Sequence, residues 1–347
     1  MRVISSQSRL TVFGFYNRFT KPFAVLILFL VPSFLHAQDG GGGTLPGDIL
    51  GGAALIFRKP DNPPVGGGRI SARPQPRAKI RAQNQLIAKG NAARSAATPR
   101  YSEAEQTYLQ AARQDPDDVR AFVGLGNVYL DQGKFAQAVE QYQRAIKVRP
   151  EYVDTYMPLG FALVRLNRLP EAIDIYNHVI KVEPENPEPH NNLSYIFNQS
   201  GKYNEAIEAG QQAIRLLGQT GLAYKQGYQV RNQILSHAYK NLGNAYSGLK
   251  KYNEAADALK QATAIEPNNA AAHFNLGLSL YSGGRYSEAI LAYKEVLKLK
   301  PALAVARFNL ALAYIATNDR TSAMAEYDAL KKINAKMADE LYAMIKR

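Results

Sequence analysis

From about residue 83 onward, apolar residues recur at helical spacing and are broken by short polar turns. In AFVGLGNVYLDQG, residues 121–133, Phe122, Leu125 and Tyr129 share one helical face, and Gly126 on that face leaves room for a neighbouring helix. Gly133 and Lys134 read as a turn. The next stretch, FAQAVEQYQRAIKVRP, sets Ala138, Tyr142 and Ala145 at i, i+4 and i+7, so aromatic bulk alternates with alanine along the face to be buried. Pro150 closes it, because proline lacks the backbone N–H and disfavours helix in the residue before it. The unit is a helical hairpin, and it recurs. Pro116, Pro150 and Pro184 are 34 residues apart, as are Pro267 and Pro301, while the 83-residue gap from Pro184 to Pro267 is two periods plus 15. Leu125-Gly126, Leu159-Gly160, Leu242-Gly243 and Leu276-Gly277 keep the beat, with Leu193-Ser194 and Leu310-Ala311 in the same columns. Ala104, Ala138, Ala172, Ala206, Ala255, Ala289 and Ala323 form another column. A hairpin with two apolar faces buries them only by stacking on its neighbours.

The Leu-Gly-x2-Tyr, Ala-x3-Phe/Tyr and closing-Pro columns resemble the tetratricopeptide repeat over about residues 83–335. The resemblance implies an all-α, right-handed superhelical solenoid. Its hairpins fall at 83–116, 119–150, 153–184, 187–218, 236–267, 270–301 and 304–335, with an insertion at 219–235 and a capping helix over 336–347. The first repeat departs most, with Gly90 in the small column and extra residues before Tyr101.

Composition changes the picture mainly at the amino terminus. The 347-residue chain has no Cys, which removes disulfide scaffolds, Cys-ligated zinc and thiol nucleophiles. It carries a net charge of +13, yet residues 81–347 hold only +6 of it, and no Lys/Arg stripe or aromatic stacking platform marks a nucleic-acid surface. An acid-free start with Arg2, Arg9, Arg18 and Lys21 leads into the apolar run Phe23–Leu35, too short for the ~20 residues of a membrane-spanning helix. Residues 1–37 therefore read as a secretory signal ending near Ala37, with an uncleaved anchor as the alternative. No transmembrane span is expected in the mature chain. The expected location is exported, periplasmic or secreted, in a bacterium. Residues 38–80, rich in Gly, Pro and Arg, read as a flexible linker that cannot bury enough apolar surface to order itself.

Candidate chemistry is sparse. His36, His178, His190, His237 and His273 show no zinc-hydrolase spacing, and no phosphate-cradling loop or nucleophile turn is present. Neither catalysis, a cofactor nor a metal is expected. Asp117, Asp118, Glu183 and Glu185 lie at repeat junctions, where acids favour helix starts. The resemblance implies a concave groove lined by the first helix of each hairpin, taking a peptide or partner protein. Asn192, Asn241, Asn275 and Asn309 occupy one equivalent site there and resemble the asparagine ladder of O-linked N-acetylglucosamine transferases, whereas Gly124 and Pro158 fill the site earlier. Phe274, Leu278, Tyr281, Phe308, Leu312 and Ile315 are expected to face the same groove as apolar anchors. Lys89 and Asn91 resemble the start of a carboxylate clamp that Gly124 and Pro158 then interrupt. The function expected is a protein-binding scaffold. Its alternatives are an accessory subunit presenting substrate to a separate envelope enzyme or secretion complex, and an anionic-polymer binder acting through Arg58, Lys59, Arg69, Arg73, Arg77, Lys79 and Arg81.

Overall fold

A computed structural model describes Asp61, Pro63 and residues 76–220 and 228–346. The signal segment, the rest of the linker before Pro76, and residues 221–227 of the insertion lie outside these residues. Among the described residues, fifteen α-helices follow one another with no strand. They are α1 (Arg77–Arg94), α2 (Tyr101–Gln114), α3 (Val119–Asp131), α4 (Phe135–Val148), α5 (Tyr156–Arg165), α6 (Leu169–Val182), α7 (Pro187–Gln199) and α8 (Tyr203–Thr220). After residues 221–227 come α9 (Tyr228–Gly248), α10 (Tyr252–Ile265), α11 (Ala270–Ser282), α12 (Tyr286–Leu299), α13 (Ala304–Ala316), α14 (Arg320–Lys331) and α15 (Ala335–Ile345). Odd and even helices pair as seven hairpins, and α15 packs over the last of them.

The periodic columns become the packing. All seven alanines of the Ala column are fully buried, because there two helices approach too closely for a larger side chain. Opposite Gly126, Gly160 and Gly277 sits a tyrosine ring from the second helix, and opposite Gly243 the Leu259 side chain. A methyl group on Gly126 would lie 2.5 Å from Tyr142, one on Gly160 2.7 Å from Tyr176, and one on Gly277 2.5 Å from Tyr293. The Tyr108 ring is gripped from two sides, by Gly90 and by Gly124 of the next hairpin. That close approach explains why repeat two carries Gly124 where repeats four to seven carry Asn. Repeat four inverts the pair: Ser194 takes the small column, and Gly210 stands where the tyrosine would be. Ser194 is then free to donate to the Ala206 carbonyl at 2.7 Å.

Turns within the last six hairpins share one device. Gly133, Asn167, Gly201, Lys250, Gly284 and Asn318 all have positive φ. Around Gly133, the Lys134 N–H reaches back to the Tyr129 carbonyl and caps the end of α3. Lys250 at φ 60° holds the conformation despite its side chain, which is disfavoured there by about 1–2 kcal/mol. Between hairpins, prolines 150, 184, 267 and 301 fall just beyond the ends of α4, α6, α10 and α12. The Asp118 carboxylate accepts from the Arg120 N–H at 3.1 Å, capping α3 as its junction position suggests.

Two departures follow from local chemistry. Pro158 lies in the first turn of α5, where its missing N–H has no helical partner to lose, and a 3-10 turn over Val153–Thr155 precedes it. The first helix of that repeat is consequently the shortest of the fifteen at 10 residues. At the insertion, α8 and α9 lengthen to 18 and 21 residues, so much of the added sequence extends the flanking helices.

Candidate peptide-binding groove

The first helices of the hairpins also touch one another, α1 with α3, α3 with α5, α7 with α9, α9 with α11 and α11 with α13. They form an inner wall, and three asparagines stand on it one residue past the small column, Asn91, Asn127 and Asn244, of which the first two share one arrangement and Asn244 instead accepts from Asn275. Asn91 follows Gly90 and Asn127 follows Gly126, each one residue past the small column. Their amides are oriented from behind. The Tyr108 hydroxyl donates to Asn91 Oδ1 at 2.6 Å, and the Tyr142 hydroxyl donates to Asn127 Oδ1 at 2.7 Å. Burial pushes both tyrosine hydroxyls far above their ordinary pKa, so they stay protonated donors. Each Oδ1 is thereby occupied, and each Nδ2 is turned toward whatever lies in front of the wall. There the Asn91 amide donates to the Pro63 carbonyl at 2.8 Å, and the Asn127 amide donates to the Asp61 carbonyl at 3.0 Å.

Next to these rungs, Arg94 at the end of α1 meets Asp131 at the end of α3. Arg94 Nε lies 2.8 Å from Asp131 Oδ2 and Nη2 lies 3.3 Å from Oδ1, with the side chains only 2% and 4% exposed. At the other end of the same helices, Arg120 donates to both oxygens of Asp118 and to Asn84 Oδ1, and Gln83 donates to Asp118 Oδ2 at 2.9 Å. The first two hairpins are thus joined by a polar network of side chains that are directional, unlike apolar contacts.

The asparagines singled out from the sequence lie about one helical turn away, three residues before the Asn91 and Asn127 column. Asn192 and Asn241 are fully buried. Asn192 Oδ1 accepts from Asn191 at 3.3 Å, and the Asn241 amide donates to the Asn191 carbonyl and side-chain oxygens at 3.3 and 3.0 Å. Asn275 donates to Asn244 at 2.8 Å. Asn309 is 1% exposed, and neither its Oδ1 nor its Nδ2 finds a partner among the described residues. The reason is one period away: the residue equivalent to Asn244 in the next repeat is Leu278, which cannot accept a hydrogen bond. Of the apolar candidates, Phe274, Phe308 and Leu312 are buried, Phe274 edge-on to Tyr293 with ring centroids 5.9 Å apart. Leu278, Tyr281 and Ile315 remain partly exposed, and Tyr281 meets Tyr286 at 5.1 Å. The sequence singles out Asn91 only as the start of a clamp; the signal for its pairing with Asn127, the residue after each small one, is interrupted by Phe161 and Tyr195 before asparagine returns at Asn244.

The buried, unpartnered Asn309 amide is a stability cost of about 1–3 kcal/mol. Asn309→Leu, which keeps the branching and the number of heavy atoms, is expected to raise the denaturant midpoint by about 1–2 kcal/mol in free energy. Chemical denaturation followed by helical circular dichroism checks this. A loss of stability would mean that the amide has a hydrogen-bonding role within the array.

No group of three or more His, Asp or Glu side chains among the described residues is placed to hold a metal. No described helix is long and apolar enough to cross a membrane. Models of the tetratricopeptide repeat match residues 159–219, 240–304 and 280–347, and a TPR repeat model matches 100–133 and 126–167. The chain belongs to the tetratricopeptide-repeat proteins. Its fold is similar to that of the solved structure of Pseudomonas aeruginosa pilF, with a TM-score of 0.53 at 18% identity, covering 70% of this chain and 99% of that one. The carboxy-terminal part of a TPR repeat-containing protein from Cytophaga hutchinsonii aligns with a TM-score of 0.55 at 15% identity, over 75% and 98% of the two chains. The APC/C hetero-tetramer Cut9-Hcn1 gives 0.52 at 21% identity, over 68% of this chain and 48% of that one, so this chain spans about half the length of that relative. No curated protein sequence matches the chain significantly.

Proposed function

We propose that this protein is a non-catalytic scaffold that holds an extended segment of a partner protein by its main chain along the inner wall of the helical array. The family is one of protein-interaction modules. The observation that carries the reading is the pair of amides on Asn91 and Asn127. Both are fixed from behind by buried tyrosines, and both donate to main-chain carbonyls of a segment outside the helices. Recognition of carbonyls rather than side chains suits a scaffold that reads an extended backbone. The acid-free basic start and the short apolar run before Ala37 support export, and hence a partner in the envelope.

Crosslinking capture from an envelope extract tests this, with the full chain beside Asn91→Ala/Asn127→Ala. Equal helicity by circular dichroism is confirmed first. One discrete protein retained by the parent and lost by the variant is the expected result. Identical captured sets from both proteins would overturn the reading.

A further inference from the structure

We infer that Asp61–Pro63 is a ligand carried by the chain itself, seated on the two asparagine rungs where a partner's backbone binds, so that a partner enters by displacing it. The inference rests on the groove reading above. Four observations support it. The two carbonyls held are on residues 61 and 63, and carbonyls two residues apart point to the same side of an extended chain. The two amides that hold them stand at equivalent positions in successive repeats, so the register of the segment matches the register of the solenoid. Asp61 lies on the second repeat and Pro63 on the first, so the segment runs against the order of the helices. Pro63 is buried and has no N–H, and it therefore brings no unmet donor into the contact, while its ring fixes φ near the extended range.

The chemistry recognised is an extended main chain with two accessible carbonyls on one side, ending in a proline at the first repeat. Since neither hydrogen bond reads a side chain of Asp61 or Pro63, another peptide of the same shape satisfies the same two amides. The cis segment has the advantage of tethering, which supplies a local concentration on the order of millimolar for a short linker. A free peptide must overcome that concentration, and its apparent affinity falls by the fraction of molecules whose groove is already filled.

A fluorescein-labelled synthetic peptide of residues 57–67, FRKPDNPPVGG, is the probe. It is titrated by fluorescence anisotropy against the full chain and against the full chain lacking residues 58–66. The deletion removes no residue of the described helices. Binding to the deleted chain at least about tenfold tighter than to the parent is expected. A third protein adds Asn91→Ala, Asn127→Ala, Tyr108→Phe and Tyr142→Phe to the deletion, so that losing the amides orphans no hydroxyl; it should lose the binding. Equal affinity for parent and deleted chain, no binding to the deleted chain, or binding that survives loss of both amides would each overturn the inference. If the deleted chain captures an envelope protein that the four substitutions abolish, yet ignores the peptide, the groove reading stands and the cis ligand alone fails.

Discussion

Asp131→Ala is expected to destabilise the first two hairpins by about 3–5 kcal/mol, because it leaves the Arg94 guanidinium buried with its bidentate carboxylate partner gone. The loss should be local. In a repeat array each hairpin contacts mainly its neighbours, so α1–α4 open while the later repeats keep their own interfaces. Hydrogen exchange read by mass spectrometry is the suitable measurement, since a single unfolding midpoint averages over the array. Protection should fall by orders of magnitude in residues 77–148 and change little beyond residue 236. The double replacement Arg94→Met/Asp131→Leu should recover most of the loss, because removing both charges removes the cost of burying either. Uniform loss of protection along the chain would show that the ion pair does not act as a local clamp. A groove that depends on the relative placement of Asn91 on α1 and Asn127 on α3 should also lose its grip on Pro63 and Asp61 when this clamp goes.

The second large effect concerns glycine, and its sign depends on what lies opposite. Gly126→Ala places a methyl group 2.5 Å from a carbon of the fully buried Tyr142 ring, and that ring is held by its bond to Asn127. It cannot move aside without breaking this bond, so a loss of about 1–3 kcal/mol is expected. Gly218→Ala, in the last turns of α8, meets nothing within 4 Å and should instead stabilise the helix by about 0.5–1 kcal/mol. Denaturant melts of the two variants beside the parent separate the outcomes. If both substitutions stabilised, helix propensity rather than the glycine–tyrosine fit would be the governing term at the small column. Repeat four already carries the exchange in the other direction, with Ser194 facing Gly210, which shows that the pair of positions and not glycine itself is what the hairpin requires.

Much of this architecture was legible in the sequence because its causes are local or periodic. Helical spacing of apolar residues, the turn residues and the closing prolines act within a hairpin, and the 34-residue beat repeats the same packing problem with the same solution. The alanine column and the small column could be named from sequence alone, since each is a steric demand recurring at a fixed offset. The insertion was legible as extra length, but whether it prolongs helices or leaves them is decided by packing against hairpins on either side, and α8 and α9 take up much of it.

The groove residues were less legible, for a physical reason. An asparagine on the inner wall can turn its amide to the groove or to its neighbours, and the two columns that carry asparagines lie one helical turn apart on the same face. Which way each amide turns depends on the residue behind it, not on its column alone. Tyr108 and Tyr142 pin the oxygens of Asn91 and Asn127 and so aim their nitrogens outward, while Asn191 and Asn244 engage the amides of Asn241 and Asn275 inside the array. Those partners come from other helices, 15 to 50 residues away in sequence. The sequence by itself determined the repeating hairpin and its beat, because these depend on spacing within one period. Only the tertiary structure decided which amides are taken up between helices and which donate to the Asp61 and Pro63 carbonyls, because hydrogen-bond capacity is shared out between repeats after they stack.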